Sequence, residues 1–185
     1  IMQYAILAIG LIMSGVFIFL RKPEGGAKTL VLKALSSLFF ILLAVLIIGD
    51  NENFDTAFGT PMLFGMACCI VGDILLDLTI TYPQDNKIYT FTVMTAFGLG
   101  QISYSGAAAV MFGTHWAVYL GAAGLAAITY FATKLFFKCD YKGYNIPTIF
   151  YAVALSVSAC QSLYMLIMNQ NVFTIMFFIG IVLFF

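Results

Sequence analysis

Runs of apolar positions divide the chain into seven segments: 1–20, 29–48, 61–80, 89–111, 116–136, 146–168 and a shorter 172–185. Six of them have about the 20 residues that a helix needs to cross the hydrocarbon core of a bilayer. Short polar breaks separate them. Residues 21–26 read Arg-Lys-Pro-Glu-Gly-Gly, a charged turn with helix breakers, and residues 49–55 are acidic. Pro61 stands where the third segment opens and fits the first turn of a helix. The pattern predicts an all-α, polytopic transmembrane bundle, one integral-membrane domain over 1–185, with seven spans of which the seventh is short. Connections this brief predict that consecutive helices are antiparallel neighbours. The first segment lacks a basic leader and a small-residue cleavage site, so it reads as a span and not a signal peptide. A start at Ile1 and a stop in mid-run at Phe185 lead to the expectation of truncation at both ends.

Composition supports the membrane class. The chain is 63% hydrophobic and 9% charged, against about 25% charged for a soluble domain. A net charge of zero and the lack of a separate basic tract argue against nucleic acid as a partner, and no soluble protein partner is expected. Cys68, Cys69 and Cys160 lie in apolar runs and Cys139 in a loop, so neither a disulfide framework nor a zinc spacing can be read. With a single histidine, His115, expected to be solvated in a turn, no metal site is predicted, and no cofactor. Esterase, zincin and nucleotide-binding motifs are missing.

Charge then sets an orientation. Arg21, Lys22, Lys28, Lys33, Lys87, Lys134, Lys138 and Lys142 all fall in or beside odd-numbered loops. By the positive-inside rule those loops are cytoplasmic and the N-terminus is outside.

The candidate chemistry sits in Gly65-Met-Ala-Cys-Cys-Ile-Val-Gly-Asp-Ile-Leu-Leu-Asp-Leu78. Asp73 and Asp77 are four residues apart, which puts them on one helix face. Ionisable groups at membrane depth are expensive and tend to mark sites. The predicted orientation puts Asp73 roughly 6 Å deeper than Asp77 at 1.5 Å per residue. Asp77 is placed to pair with Lys33 or to reach the headgroups. A carboxyl held away from water is less costly neutral than charged, and a proton-bearing carboxyl is what a general acid requires. The other reading of Asp73 is a packing hydrogen bond to Gln101 or Tyr104, which share a face of the fourth segment. Small residues around them, Gly98, Gly100 and Gly106, allow close helix contact.

The ordered set of motifs resembles a known family. Phe64-Gly-Met-Ala-Cys-Cys-Ile-Val-Gly-Asp-Ile-Leu-Leu76, then Ala96-Phe-Gly-Leu-Gly-Gln-Ile-Ser-Tyr104, is similar to the YhhN-like lysoplasmalogenases. Val31-Leu-Lys-Ala-Leu-Ser-Ser37 and Ile149-Phe-Tyr-Ala-Val-Ala-Leu155 match its second and sixth helices in part. The resemblance implies eight spans in the full protein, with a second acidic motif, Ser-Asp, beyond the apolar stretch that ends at Phe185. It implies a membrane hydrolase that cleaves the vinyl ether of lysoplasmalogens to a fatty aldehyde and a glycerophospho-headgroup. Asp73, Tyr104 and Gln101 are then the candidate catalytic residues, and Lys33 and Asp77 the candidate substrate-binding ones. Two positions depart from the pattern: Gln101 stands where the family usually has histidine, and Ala34 where it has proline. Glutamine cannot exchange a proton near neutral pH as histidine does. The expected partners are a lysophospholipid substrate and membrane lipid, and the expected location is a bacterial cytoplasmic membrane. The alternative is a proton- or cation-coupled carrier or lipid-handling protein in which no bond is broken.

Overall fold

The structure, a computed structural model, describes residues 2–20, 27–49, 55–136, 138, 141 and 143–184. The described residues form seven α-helices: α1 (Met2–Leu20), α2 (Ala27–Gly49), α3 (Thr56–Thr81), α4 (Asn86–Phe112), α5 (Trp116–Leu135), α6 (Asn145–Met168) and α7 (Val172–Phe184). A single 3₁₀ turn, Pro83–Asp85, joins α3 to α4. Five of these helices, α1, α2, α3, α5 and α6, are long and apolar enough to cross a membrane. The fourth is long but diluted by glycine, serine, threonine and Gln101, and α7 has only 13 residues. The breaks 21–26 and 50–54, and Cys139 and Lys142, lie outside the described residues.

Local chemistry explains the helix ends. The Asp55 side chain accepts a hydrogen bond from Ala57 N at 2.8 Å, so α3 starts at Thr56. Pro61 is therefore inside the helix and not in its first turn, a correction to the reading from sequence. The carboxylate cap six residues upstream outweighs the missing N–H of one proline, which membrane helices tolerate. His115 is exposed, as expected, but it also caps: its Nδ1 accepts from Ala117 N at 3.3 Å at the start of α5. Asn171 Oδ1 and Thr174 Oγ1 exchange bonds with each other's backbone N–H and so open α7.

The packing departs from simple succession. The most extensive interface is α3 on α4, an antiparallel pair, and α4 then packs on α6. Although only three residues join α4 to α5, the two do not pack together; α5 lies against α6 instead. Pairs along the α4–α6 seam run in the same sense: Gly98 under Phe150, Gln101 and Ser105 at Ser158, Gly113 at Gln161. Thus α4 and α6 are parallel neighbours, and the expectation that every consecutive pair is adjacent fails here. The cause is polar: Ser158 donates to Gln101 O at 2.8 Å, its hydroxyl meets that of Ser105 at 2.8 Å, and Gln161 Nε2 donates to Gly113 O at 2.8 Å. Hydroxyls and amides buried in an apolar bundle must find partners, and α6 supplies them to α4. The α1–α2 hairpin stands at the other flank, with α2 alone touching α3.

Candidate functional site

The third helix carries a row at a spacing of four: Gly65, Cys69, Asp73 and Asp77. Residues i and i+4 stack on one side of a helix and the row drifts slowly around it. The row consequently starts under α4 and ends under α2.

At the α4 end, Gly65 and Gly100 press the two backbones together. A Cβ on either glycine would lie 3.1 Å from the other's carbonyl oxygen. The Gly65 position would also place a Cβ 2.6 Å from Tyr104 Cε1, so only a hydrogen there lets the tyrosine ring lie across α3. So seated, the Tyr104 hydroxyl donates to Cys69 Sγ at 3.6 Å. One turn further on, Gly72 accommodates the ring of Phe97. That ring meets Phe184 of α7 edge-on at 5.4 Å between centroids.

At the α2 end stands a cluster of one ammonium and two carboxyls. Lys33 Nζ is 3.2 Å from Asp73 Oδ1 and 3.5 Å from Asp77 Oδ1. It also donates to the backbone carbonyl of Asp73 at 3.3 Å. The three oxygens around the ammonium all belong to α3. The side chains of Lys33, Asp73 and Asp77 are 16%, 34% and 12% exposed. Both are the only ion pairs among the described residues.

The expected Lys33–Asp77 pair is present. Asp73 is the more exposed of the two acids and Asp77 is buried, because rotation about the helix axis decides which side chain α2 covers. Lys33 also contacts Asp73 directly. One reading needs correction: the partner of Asp73 is neither Tyr104 nor Gln101, since Tyr104 turns to Cys69 and Gln101 lies in the α4–α6 seam.

There Gln101 is 1% exposed, its carbonyl accepting from Ser105 and Ser158 and its Oε1 lacking a hydrogen-bond partner. Lys33, Asp73 and Asp77 are thus brought together, Tyr104 stands beside the next turn of the same row, and Gln101 is apart. Sequence reasoning missed Cys69 and Gly65 as parts of this site. The four-residue repeat through Gly65, Cys69, Asp73 and Asp77 was the signal for them. No group of three or more metal-binding side chains occurs among the described residues.

This arrangement holds charge at one place between two apolar helices and leaves one carboxyl partly open. It can donate or accept a proton and can stabilise a cation next to Asp73. No curated protein and no solved structure matches the chain. A family model does match residues 28–185, covering Lys33, the whole row on α3 and every helix after α1, and by that match the chain belongs to the YhhN family.

Proposed function

We propose that this protein is a membrane-embedded hydrolase of the vinyl ether bond in lysoplasmalogens, acting at the Lys33–Asp73–Asp77 cluster. The observation that carries the reading is the cluster itself, found in a YhhN-family chain: an acid pair on α3 held by one lysine from α2. Asp73, the more exposed acid, acts as the general acid and delivers a proton to the vinyl carbon. The oxocarbenium ion so formed is stabilised by the carboxylate left behind. Water adds to the cation and gives up a proton to that carboxylate, and the hemiacetal collapses to a fatty aldehyde and the glycerophospho-headgroup alcohol. Asp77 and Lys33 fix the position of Asp73, the three oxygens around the Lys33 ammonium all belonging to α3. Tyr104 supports the row on α3 from α4 through Cys69, and Gln101 backs α4 from the α4–α6 seam without touching the cluster. Lysophospholipid is the substrate, and surrounding lipid is the medium that delivers it. The lysine-bearing end, which includes Lys33, Lys87, Lys134 and Lys138, faces the cytoplasm by the charge bias.

The test uses full-length protein purified in detergent, incubated with a lysoplasmalogen or with its saturated ether analogue. Free aldehyde is assayed by mass spectrometry. Aldehyde from the vinyl ether alone, lost in Asp73→Asn with helical content retained, supports the reading. Folded wild-type protein that releases no aldehyde sinks it.

A further inference from the structure

We propose that the cleft between the first turns of α4 and the start of α6 is a binding site for an anionic bilayer phospholipid, with Lys87 holding the phosphate. The cleft has a volume of about 240 Å³ and is lined by Lys87, Ile88, Phe91, Thr92, Gly143 and Tyr144. Lys87 is folded over Gly143: a Cβ there would lie 3.4 Å from its Nζ and 3.5 Å from its Cε. Gly143 has φ +87°, a conformation that favours glycine, so the chain presents no side chain between the ammonium and the cleft. Among the described residues no carboxylate lies within 4.0 Å of Lys87; both ion pairs belong to Lys33.

An ammonium with no carboxylate partner among the described residues, over an otherwise apolar wall, has the chemistry of one ligand class. The phosphate takes the cation, and the acyl chain runs beside Ile88 and Phe91 toward the middle of the bundle. Tyr144, at the start of α6, adds an amphipathic ring of the kind that favours a headgroup boundary. The parallel packing of α4 and α6 makes this possible, because both helices begin at the end that carries the described lysines. Lys87 turns toward α6, whereas the acid cluster lies between α3 and α2, so this site is separate from the proposed catalytic one.

The experiment is native mass spectrometry of the full chain in detergent, titrated with palmitoyl-oleoyl phosphatidylglycerol or with the phosphatidylcholine of the same chains. We expect phosphatidylglycerol to be retained roughly five-fold more tightly, the size of effect of one basic residue at an anionic surface. That preference disappears in Lys87→Gln and persists in Lys87→Arg. It also persists in Lys134→Gln, which removes an exposed charge from the last turn of α5. Equal retention of the two lipids by wild-type protein overturns the proposal without any variant. So does a preference that survives Lys87→Gln, or one that Lys134→Gln removes to the same degree, since bulk charge then accounts for it. Aldehyde release is not part of the readout, so this result and the hydrolase test fail independently.

Discussion

Two polar contacts between helices organise this bundle, and they differ in kind. Between α2 and α3 the contact is charged, partly open and carried by one lysine and two acids. Between α4 and α6 it is neutral, closed and carried by hydroxyls and an amide, with Ser105, Ser158 and Gln161 all buried. The first joins a thinly packed hairpin to the rest; among the described residues α1 and α2 contribute only Gly10 and Ser36 to the buried set. The second lies where packing is already dense. Neutral groups in an apolar seam satisfy one another and then do nothing more. Charges retained at a poorly covered contact, where apolar side chains would hold two helices in lipid at lower cost, call for a chemical explanation. The difference separates a structural seam from the proposed site.

That separation is broken most directly at Asp73. Asp73→Asn keeps the shape and a hydrogen-bond acceptor for Lys33 but removes the transferable proton. Aldehyde release is predicted to fall about 10²–10⁴-fold, the usual contribution of a general acid. Thermal stability in detergent should change little, because Asp77 still pairs with Lys33. If turnover persists with the protein folded, the charged contact is structural after all.

Lys33→Met comes next. It leaves two carboxyls one turn apart without their cation and strips α2 of its three bonds to α3. The cost lies between the roughly 1 kcal/mol of an exposed pair and the 3–5 kcal/mol of breaking a buried one. The readout is the docking of the α1–α2 hairpin, followed by disulfide trapping between cysteines placed across α2 and α3. Unchanged trapping would show that apolar contact alone holds the hairpin.

Much of this architecture was legible along the chain. Apolar runs located all seven helices, since helix extent in lipid follows hydrophobic length. The start of α3 was misplaced because a capping carboxylate at Asp55 is a stronger start signal than a proline at Pro61. Lys33 and Asp77 were paired correctly because depth along antiparallel helices is additive from sequence. The relative exposure of Asp73 and Asp77 was not readable, because it depends on helix rotation and not on depth. The α4–α6 contact was hidden for a different reason. Ser156, Ser158, Gln161 and Ser162 are each ordinary residues in a membrane helix, and only the fold shows that Ser158 and Gln161 point at the same neighbour. Short connections then misled, since chain proximity of α4 and α5 does not outweigh those hydrogen bonds. Gln101 was drawn into the site by the family pattern and by its spacing from Tyr104, yet it lies in the neutral seam.

A smaller effect tests how Tyr104 is held. Gly65→Ala puts a methyl group 2.6 Å from the Tyr104 ring and 3.1 Å from the Gly100 carbonyl. The ring can swing away, but the backbone oxygen cannot, so an overpacking cost of about 1–3 kcal/mol is predicted. Unfolding in mixed micelles measures it. Tyr104→Ala on the same background should recover only the part due to the ring. Full recovery would mean that the ring, and not the α3–α4 backbone approach, is the tight contact.

The smallest predicted effect belongs to the neutral seam and completes the contrast. Ser158→Ala removes the donor to Gln101 O and the partner of Ser105 Oγ, both at 2.8 Å. Interhelical hydrogen bonds in membranes average about 0.6 kcal/mol and reach about 1.7. Ser105 still donates to Gln101 O at 2.9 Å, so no carbonyl is orphaned and the low end applies. Unfolding in mixed micelles should therefore shift by less than a Lys33→Met shift, and aldehyde release should stay within about two-fold of wild type. A large loss of turnover from Ser158→Ala with little loss of stability would place the chemistry at the seam, where Gln101 Oε1 is buried without a partner, and would move the site from α3 to α4.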